Sequence, residues 1–204
     1  MAPGPAPAPP ATLRRAGGRA LDQSRDADIR AAVLELLAEQ GYDRLTMEAV
    51  AARARAGKAT IYRRWPGKAD LVIDAINDLK PAPADLPDTG SLAGDIRSYF
   101  EASVAGGPPN AFPLIAGLAA GLVHDRELAH AFREHFVLPR VARLEALLDR
   151  AAARGEIAPP QNADLLCAVF PALMLHRTVL EGEPPDDGFV RRVVEQVLIP
   201  LVTR

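Results

Sequence analysis

The sequence predicts an all-α fold with a small N-terminal helical domain and a larger C-terminal helical domain. Its apolar residues recur three and four positions apart, as on one face of an α-helix, and no segment shows the alternation that predicts a β-strand. Turn-forming clusters separate the later periodic segments at residues 106–110, 155–161 and 181–187. A longer break rich in Pro and Asp, residues 81–90, marks the boundary between the two domains.

The 204-residue chain is therefore divided into a tail over residues 1–23, a first domain over 24–80 and a second domain over 81–204. The tail is rich in Pro, Ala and Gly and cannot supply a packed core, so we expect it to be disordered. Neither the tail nor any later segment has the apolar run of a signal peptide or a membrane span, which predicts a cytoplasmic protein that does not bind a membrane. Cys167 is the single cysteine, so an intrachain disulfide and a cysteine zinc cluster are excluded, and we assign it to the core.

The first helix is predicted over residues 25–40. Ser24 is a suitable N-cap and Gly41 a suitable stop. The helix presents one apolar face, which braces the two helices after it, and this face contains Ile29, Val33, Leu36 and Leu37.

The next two helices are short and are separated by a tight turn. Thr46 is placed to cap the first of them, residues 47–54, through its hydroxyl. The second begins near Gly57, and Ile61 and Trp65, four residues apart, anchor it to a core. The remaining positions of this helix are expected to face outward: Lys58, Ala59, Thr60, Tyr62 and Arg63.

These outward side chains have the chemistry of a helix that binds double-stranded DNA. Lys and Arg pair with phosphates or guanine edges, the Thr hydroxyl and methyl group suit thymine, and the Tyr hydroxyl suits a phosphate. The small side chain of Ala59 lets the backbone approach the duplex closely. A basic helix by itself is more typical of a solvated surface, so the helix-turn-helix pattern as a whole carries the prediction.

Positive charge is concentrated in this segment. The whole chain has a formal net charge of −2, whereas residues 46–70 contain six basic and two acidic residues, a balance of six minus two, or +4. A concentrated basic patch can bind phosphates despite a negative remainder. The tail arginines Arg14, Arg15 and Arg19 either enter a minor groove beside the recognition helix or only make the tail soluble.

Residues 29–72 resemble the DNA-binding domain of TetR-family transcriptional regulators. The resemblance includes Gly41 and Tyr42 at the end of the leading helix and the run KATIYRRW, residues 58–65. It implies that Thr46, Tyr62 and Lys68 contact mainly phosphates, and that Lys68 opens a fourth helix. The positions that commonly face DNA in this family are Thr46, Lys58, Ala59, Thr60, Tyr62, Arg63 and Lys68.

The sequence departs from the family pattern at two positions of the turn. Arg55 stands where the family usually has Gly, and Gly57 stands where it usually has a Ser or Thr cap. Gly57 can still cap a helix, and its freedom at positive φ is expected to relieve backbone strain nearby, which predicts a shifted turn. Arg55 is either an additional phosphate contact or an exposed turn residue with no ligand.

A fourth helix over residues 68–79 is expected to link the two domains mechanically. The second domain is predicted to be helical throughout, with Pro139 kinking its third helix. The five predicted segments cover residues 91–105, 110–124, 125–154, 163–180 and 187–202.

The last two segments are apolar over more of their circumference than the surface helices of a monomer. The TetR resemblance implies that they pair with their two-fold mates in a four-helix bundle, which sets two recognition helices against a palindromic site. Alternatively, they complete the core of the monomer. The candidate interface residues are Leu166, Phe170, Leu173, Val190, Val194, Val197 and Leu198.

The other helices of the second domain are predicted to enclose a small-molecule effector. Because helical apolar stripes are what packing itself requires, the same residues are also ordinary core candidates. The candidate wall residues are Phe100, Phe112, Leu114, Leu118, Leu122, Phe132, Phe136 and Met174.

The sequence offers no support for an enzyme, a cofactor or a metal site. It lacks a nucleotide-binding Gly loop, a nucleophile elbow and a motif built on paired carboxylates. His124, His130 and His135 are six and five residues apart, unlike the four-residue spacing of helical zinc motifs. We expect them to face solvent or helix ends; the alternative is that they are polar anchors in a mainly apolar pocket.

Taken together, the sequence predicts a sequence-specific transcriptional regulator that binds an operator as a homodimer and responds to a small molecule, and the family resemblance favours repression. The alternative is a helical protein-interaction adaptor with a vestigial DNA-binding motif, which explains the apolar C-terminal helices but not residues 46–71.

Overall fold

A computed structural model describes residues 16–79, 85–104, 111–158 and 163–203. These residues form α-helices joined by short turns and contain no strand, which confirms the all-α fold. The N-terminal helices are α1 (Ala16–Arg44), α2 (Met47–Arg53), α3 (Lys58–Tyr62) and α4 (Lys68–Leu79). The C-terminal helices are α5 (Leu92–Val104), α6 (Ala111–Ala116), α7 (Ala119–His124), α8 (Arg126–Phe132), α9 (Leu138–Ala153), α10 (Ala163–Leu175), α11 (Asp187–Val193) and α12 (Ile199–Val202). Across the described ranges, every helix is too short or too polar to span a bilayer.

Helix α1 begins earlier than its sequence predicts. It starts at Ala16, so residues 16–23, which we expected to be disordered, are helical and Ser24 lies inside the helix rather than at its cap. The good helix formers Ala, Leu, Arg and Gln of this stretch favour the extension, against the cost of Gly17 and Gly18. Arg14 and Arg15 lie outside the described residues. The predicted stop is present, because Gly41 adopts a left-handed φ of 78° and interrupts the helix.

The helix-turn-helix forms from α2 and α3. Thr46 caps α2 as predicted, since its hydroxyl accepts a hydrogen bond from the Ala49 amide at 3.1 Å. Gly57 caps α3 as predicted, in extended backbone with φ −70°. The positive φ expected at Gly57 is wrong, because Arg55 takes the left-handed conformation, with φ 49°. The turn therefore keeps the geometry that favours Gly at position 55 and accommodates an arginine there.

The described residues form two apolar cores, and the division between these cores does not follow the domain boundary predicted at residues 81–90. The first core joins α1 to α4 through Ile29, Leu45, Ile61 and many neighbours, but it also contains Leu114, Leu118, Leu128 and Ala131 from α6 to α8. Three helices of the second half of the chain therefore complete the core of the DNA-binding domain.

The second core is built from α5, α9, α10, α11 and the turn that follows α11. Its fully buried members include Ile96, Leu147 and Leu148, with Phe170 and Met174 from α10. Val190, Val194 and Leu198 also lie in this core, at 3%, 1% and 1% exposure.

The helix predicted over residues 125–154 is interrupted. α8 continues through one π-helical turn, Arg133–Val137, before α9 begins at Leu138 with Pro139 in its first turn. Because Pro139 has no N–H, it cannot donate to the carbonyl of His135, as residue 139 of an unbroken α-helix would. That carbonyl accepts a 2.8 Å hydrogen bond from the Asn77 side chain of α4.

Candidate functional site

The predicted DNA-contacting residues form an exposed surface at the start of α2 and along α3. Thr46, Lys58, Ala59 and Arg63 are exposed, and Tyr62 is 47% exposed, a large fraction for an aromatic side chain. Thr60 is half-buried. The surface thus presents hydroxyl, ammonium, guanidinium and phenol groups without any large apolar side chain between them.

The opposite side of α3 is fixed to the rest of the domain. Ile61 is 1% exposed, and the buried Trp65 donates from its indole N–H to Asp74 Oδ2 at 3.0 Å. The same carboxylate oxygen accepts a 2.8 Å hydrogen bond from Arg30 of α1. Asp74 on α4 therefore links α1 to the residues that directly follow α3.

Intramolecular ion pairs reduce the positive charge that the sequence assigns to this segment. Lys58 Nζ lies 2.6 Å from Glu48, and Arg53 pairs with Glu39 at 2.7 Å and with Glu35 at 3.0 Å. Arg64 pairs with the buried Asp26. Because the partners of Arg53 and Arg64 lie outside residues 46–70, the balance of +4 overstates the charge available to phosphates.

Lys68, which was predicted to contact a phosphate, contacts Tyr42 within the protomer. Its ammonium group lies 3.9 Å from the centre of the Tyr42 ring and donates to the Tyr42 carbonyl at 3.2 Å. The Tyr42 hydroxyl donates to Asp125 at 2.9 Å, and burial together with this carboxylate raises the pKa of Tyr42. The start of α4, the end of α1 and the N-cap of α8 are therefore joined by polar contacts.

A cavity of about 350 Å³ lies in the C-terminal half, between α5, α6, α7, α9 and α10. This volume falls within the range of roughly 300–1,000 Å³ that is usual for small-molecule sites. Its walls are mainly apolar and include the stacked rings of Phe132 and Phe136, 4.8 Å apart, and the tilted pair Phe100 and Phe170, 4.4 Å apart.

Six of the eight predicted wall residues line the cavity: Phe100, Phe112, Leu122, Phe132, Phe136 and Met174. Leu114 and Leu118 do not line it, because their side chains point into the first core, where Leu118 is completely buried. A helical period cannot tell which of two neighbouring cores an apolar residue joins.

The polar groups of the cavity were missed by the sequence analysis. Arg140 is the charged residue among the described lining residues, beside the hydroxyl groups of Tyr99, Ser103 and Thr178. A signal for Arg140 was available, because it follows Phe132 and Phe136 at intervals of four residues and so shares their helical face.

Cys167 and the three histidines take different positions. Cys167 is half-buried and lines the cavity, where burial raises the pKa of its thiol to about 11 and keeps it protonated at neutral pH. His124, His130 and His135 are exposed. Within the described residues, no group of three His, Cys, Asp or Glu side chains is arranged to hold a metal ion.

The candidate dimer residues fall largely inside the protomer. Phe170, Val190, Val194 and Leu198 are buried in the second core, which is the alternative that the sequence left open for these segments. Leu166 and Leu173 are half-buried and pack against the same core, and Val197 is half-buried.

A different face of α10 and its π-helical continuation, His176–Leu180, is exposed and apolar. Its residues are spaced by three, four, three and four positions, the heptad spacing of helices that pack along a shared seam. We call this face the α10 seam; it consists of Leu165, Ala168, Ala172, Leu175 and Val179.

Comparisons with known families agree with this architecture. The family described as "Bacterial regulatory proteins, tetR family" matches residues 29–75, and the family described as "Tetracyclin repressor-like, C-terminal domain" matches residues 86–197. The two matches together cover most of the chain and meet at the break between α4 and α5.

Individual relatives are transcriptional regulators. The DNA-binding transcriptional repressor TetR of Mycobacteroides abscessus is 36% identical over 184 residues, which cover 88% of this chain and 95% of that protein. An HTH-type transcriptional regulator of Mycobacterium tuberculosis is 36% identical over 180 residues, with 88% and 89% coverage. These similarities confirm a transcriptional regulator rather than an enzyme.

Solved structures share the fold. The crystal structure of a TetR family transcription regulator superposes with a TM-score of 0.60 at 28% identity, covering 86% of this chain and 97% of that one. Salmonella enterica GusR shares the fold with a TM-score of 0.67 at 18% identity, covering 89% and 96% of the two chains. This chain belongs to the TetR family of helix-turn-helix transcriptional regulators.

Proposed function

We propose that the protein is a ligand-responsive repressor that binds a palindromic operator as a dimer and leaves it when a small molecule fills the cavity. The exposed Lys58, Ala59 and Arg63 and the half-buried Thr60 bind in the major groove. The exposed Thr46 and Tyr62 contact phosphates. The name of the M. abscessus relative, a DNA-binding transcriptional repressor, supports repression.

One observation carries the link between ligand and DNA: the segment from α6 to α8 has one face in the DNA-binding core and the other in the cavity. Leu118 and Leu128 lie in the first core, whereas Leu122 and Phe132 of the same segment line the cavity. A ligand that shifts these helices must repack the core that holds α1 and α4.

The energetic requirement on the ligand is strict. It must bind the arrangement that cannot bind DNA more tightly than the arrangement that can, because equal affinity for both would shift nothing. The cavity meets this requirement if filling it pushes α7 and α8 against α4 and changes the spacing of the two recognition helices in a dimer.

We assign the dimer contact to the α10 seam rather than to the residues that the sequence favoured. Its Leu165, Leu175 and Val179 are 63%, 43% and 53% exposed, and such a contiguous apolar face on an isolated protomer favours association. The small residues Ala168 and Ala172 between them allow two α10 helices to approach closely. A two-fold contact of this kind sets two half-sites in opposite orientation.

The proposal is tested by selection from a random DNA library. Purified protein at moderate salt, without ligand, is expected to enrich a palindromic motif with two half-sites. The Lys58→Ala/Arg63→Ala double variant should enrich no motif, whereas the matched control Arg126→Ala/Arg133→Ala, which removes two exposed cations from α8 and the turn after it, should enrich the same motif as the wild type. Failure of folded, dimeric wild-type protein to enrich any motif would favour the adaptor alternative.

A further inference from the structure

The guanidinium group of Arg140 occupies an unusual position for a charged side chain. It lines a mainly apolar cavity, lies 3.6 Å from the centre of the Phe136 ring and donates from Nη1 to the Phe136 carbonyl at 2.8 Å. The same Nη1 donates to Asn77 Oδ1 of α4 at 3.1 Å. One cation therefore touches both the cavity and the helix that connects to the recognition helix.

The surroundings of Arg140 favour an anion. Burial lowers the pKa of Arg140 to about 10, with Tyr99 opposing and Arg143 adding to that effect, so the protonated guanidinium is held in a site that penalises its charge. A negatively charged group that entered the cavity would offset this penalty, and a carboxylate matches the fork of the guanidinium with two parallel hydrogen bonds.

The other residues of the cavity wall determine the chemical character of the rest of the ligand. Five phenylalanines line the cavity together with aliphatic residues, so most of a bound molecule must be apolar; they are Phe100, Phe112, Phe132, Phe136 and Phe170. One cation balances one negative charge, which favours a monoanion over a phosphate dianion. The buried Thr178 hydroxyl, which has no hydrogen-bond partner among the described residues, offers a further polar contact on the same wall.

We propose that the effector is an apolar monocarboxylic acid whose carboxylate pairs with Arg140, and that this pairing acts on α4 through Asn77. The first part depends only on the cavity, and the second rests on the proposed function. When the guanidinium turns toward a carboxylate, Asn77 loses one of the contacts that fix α4 against the turn before α9. A ligand shifts the equilibrium between the DNA-binding and the non-binding arrangement only if it interacts differently with the two, and this contact would differ between them.

The recognition step is tested by calorimetric titration at neutral pH with two matched pairs of probes: 4-phenylbutanoate with 4-phenylbutan-1-ol, and decanoate with decan-1-ol. Each pair differs in the carboxylate alone. The wild type is expected to bind at least one acid about tenfold or more tightly than its alcohol, the factor associated with one charge-assisted pair. Arg140→Met should lose this preference and still bind the alcohol.

Two further variants separate recognition from folding. Arg140→Lys keeps the charge and should retain part of the preference, whereas Arg143→Met, which removes a neighbouring arginine that does not line the cavity, should behave as the wild type. Equal affinity for acid and alcohol in the wild type, a preference that survives Arg140→Met, or no binding of either acid at millimolar concentration would each overturn the assigned ligand class.

The transmission step is tested with Asn77→Ala on a duplex carrying the selected operator. The acid that the wild type binds best should weaken operator binding by the wild type, and this effect should shrink toward onefold in Asn77→Ala while acid affinity changes by less than about fivefold. Asp78→Ala, the neighbouring exposed position of α4, is the control. An unchanged effect in Asn77→Ala overturns the route through α4. Acid binding is measured without DNA, so failure to bind an operator would leave the Arg140 result intact and count against the proposed function alone.

Discussion

The side chain of Asn77 on α4 donates a 2.8 Å hydrogen bond to the carbonyl oxygen of His135 in the turn between α8 and α9. This carbonyl lies four residues before Pro139, which has no N–H to offer it. The N–H that Pro139 of the C-terminal half lacks is thereby replaced by the side-chain amide of Asn77 on α4, the helix that follows the recognition helix. The pair is a direct hydrogen bond between α4 and the turn before α9, in which the next residue, Phe136, lines the cavity.

The first prediction concerns the hydrogen bond between Asn77 and the His135 carbonyl. Asn77→Ala should lower the free energy of unfolding by about 1–2 kcal/mol, because it removes a donor to His135 and an acceptor for Arg140. In a Pro139→Ala background the cost should be smaller, since the new amide at position 139 can satisfy the His135 carbonyl. Urea denaturation of the four proteins of this double-mutant cycle measures the coupling. Strictly additive effects would show that Pro139 and Asn77 are independent.

The second prediction concerns the charge available to DNA. Glu48→Gln should raise operator affinity by up to about fivefold, because it removes the carboxylate that holds Lys58 at 2.6 Å and an exposed ion pair of this kind is weak. The salt dependence of binding should also become steeper as Lys58 reaches a phosphate. Fluorescence anisotropy at several salt concentrations measures both quantities.

The control for this charge change is Glu145→Gln, which removes an exposed carboxylate from α9. It alters the net charge of the protein equally and should leave operator affinity unchanged. If both variants bind more tightly by the same factor, the effect belongs to the overall charge and Lys58 has no specific role.

The third prediction concerns the strained turn. Arg55→Gly should stabilise the protein by about 1 kcal/mol, because the left-handed conformation at φ 49° is unfavourable for a residue with a Cβ atom. For a chain of this size the melting temperature should rise by about 2–4 °C. Arg55→Ala removes the same side chain but keeps Cβ, so it should not stabilise. A gain of similar size in both variants would place the effect in the arginine side chain rather than in the backbone.

The fourth prediction concerns the α10 seam. Leu165→Glu and Ala168→Glu should yield folded monomers at concentrations where the wild type is a dimer, because each variant would bury two unpaired carboxylates in the two-fold contact. Sedimentation velocity measures the state, and operator binding should weaken with it. Val123→Glu, at a position that is 76% exposed on α7, should remain dimeric. Val194→Glu should unfold the protein instead, because Val194 lies in the second core.

The fifth prediction concerns acid stability. Asp95 is completely buried and accepts hydrogen bonds from the Thr89 amide at 2.7 Å and from Arg154 at 3.1 Å. Burial raises its pKa, but the hydrogen bonds from Thr89 and Arg154 and the charge of Arg150 outweigh burial and lower the pKa below its usual value. A carboxylate with a lowered pKa stabilises the fold above its unfolded pKa of about 4, and this contribution is lost as the pH falls toward the folded pKa.

Asp95→Asn should therefore lower the free energy of unfolding at pH 7 by about 3 kcal/mol, because it leaves two arginines without their buried partner. The difference from the wild type should narrow as the pH is lowered below about 4. Asp88→Asn is the matched control: Asp88 lies 3.6 Å from the same two arginines but is 65% exposed, so its removal should cost less than about 1 kcal/mol. Urea denaturation between pH 3 and pH 7 distinguishes the two, and a constant difference across this range would show that the charge of Asp95 is not responsible.

The sequence by itself determined the family and the positions of most helices, although not the start of α1 or the interruption between α8 and α9. Apolar spacing, the Thr46 cap and the Gly41 stop are local features, and each depends on residues within one or two helical turns. The outward positions of α3 could be predicted from local sequence as well, because Ile61 and Trp65 determine which side of this five-residue helix is buried.

Only the tertiary structure decided which helices share a core and which charges are already paired. The apolar spacing around Leu118 is the same whether its side chain faces the cavity or the DNA-binding core. Val194 is equally apolar in a dimer contact or inside a protomer. Likewise, the pairing of Arg53 with Glu39 and of Asn77 with His135 joins residues 14 and 58 positions apart. Local sequence sets the periodicity of an element, but the partner of a side chain is set by the packing of distant elements, and that packing made Arg140 a cavity residue in contact with α4.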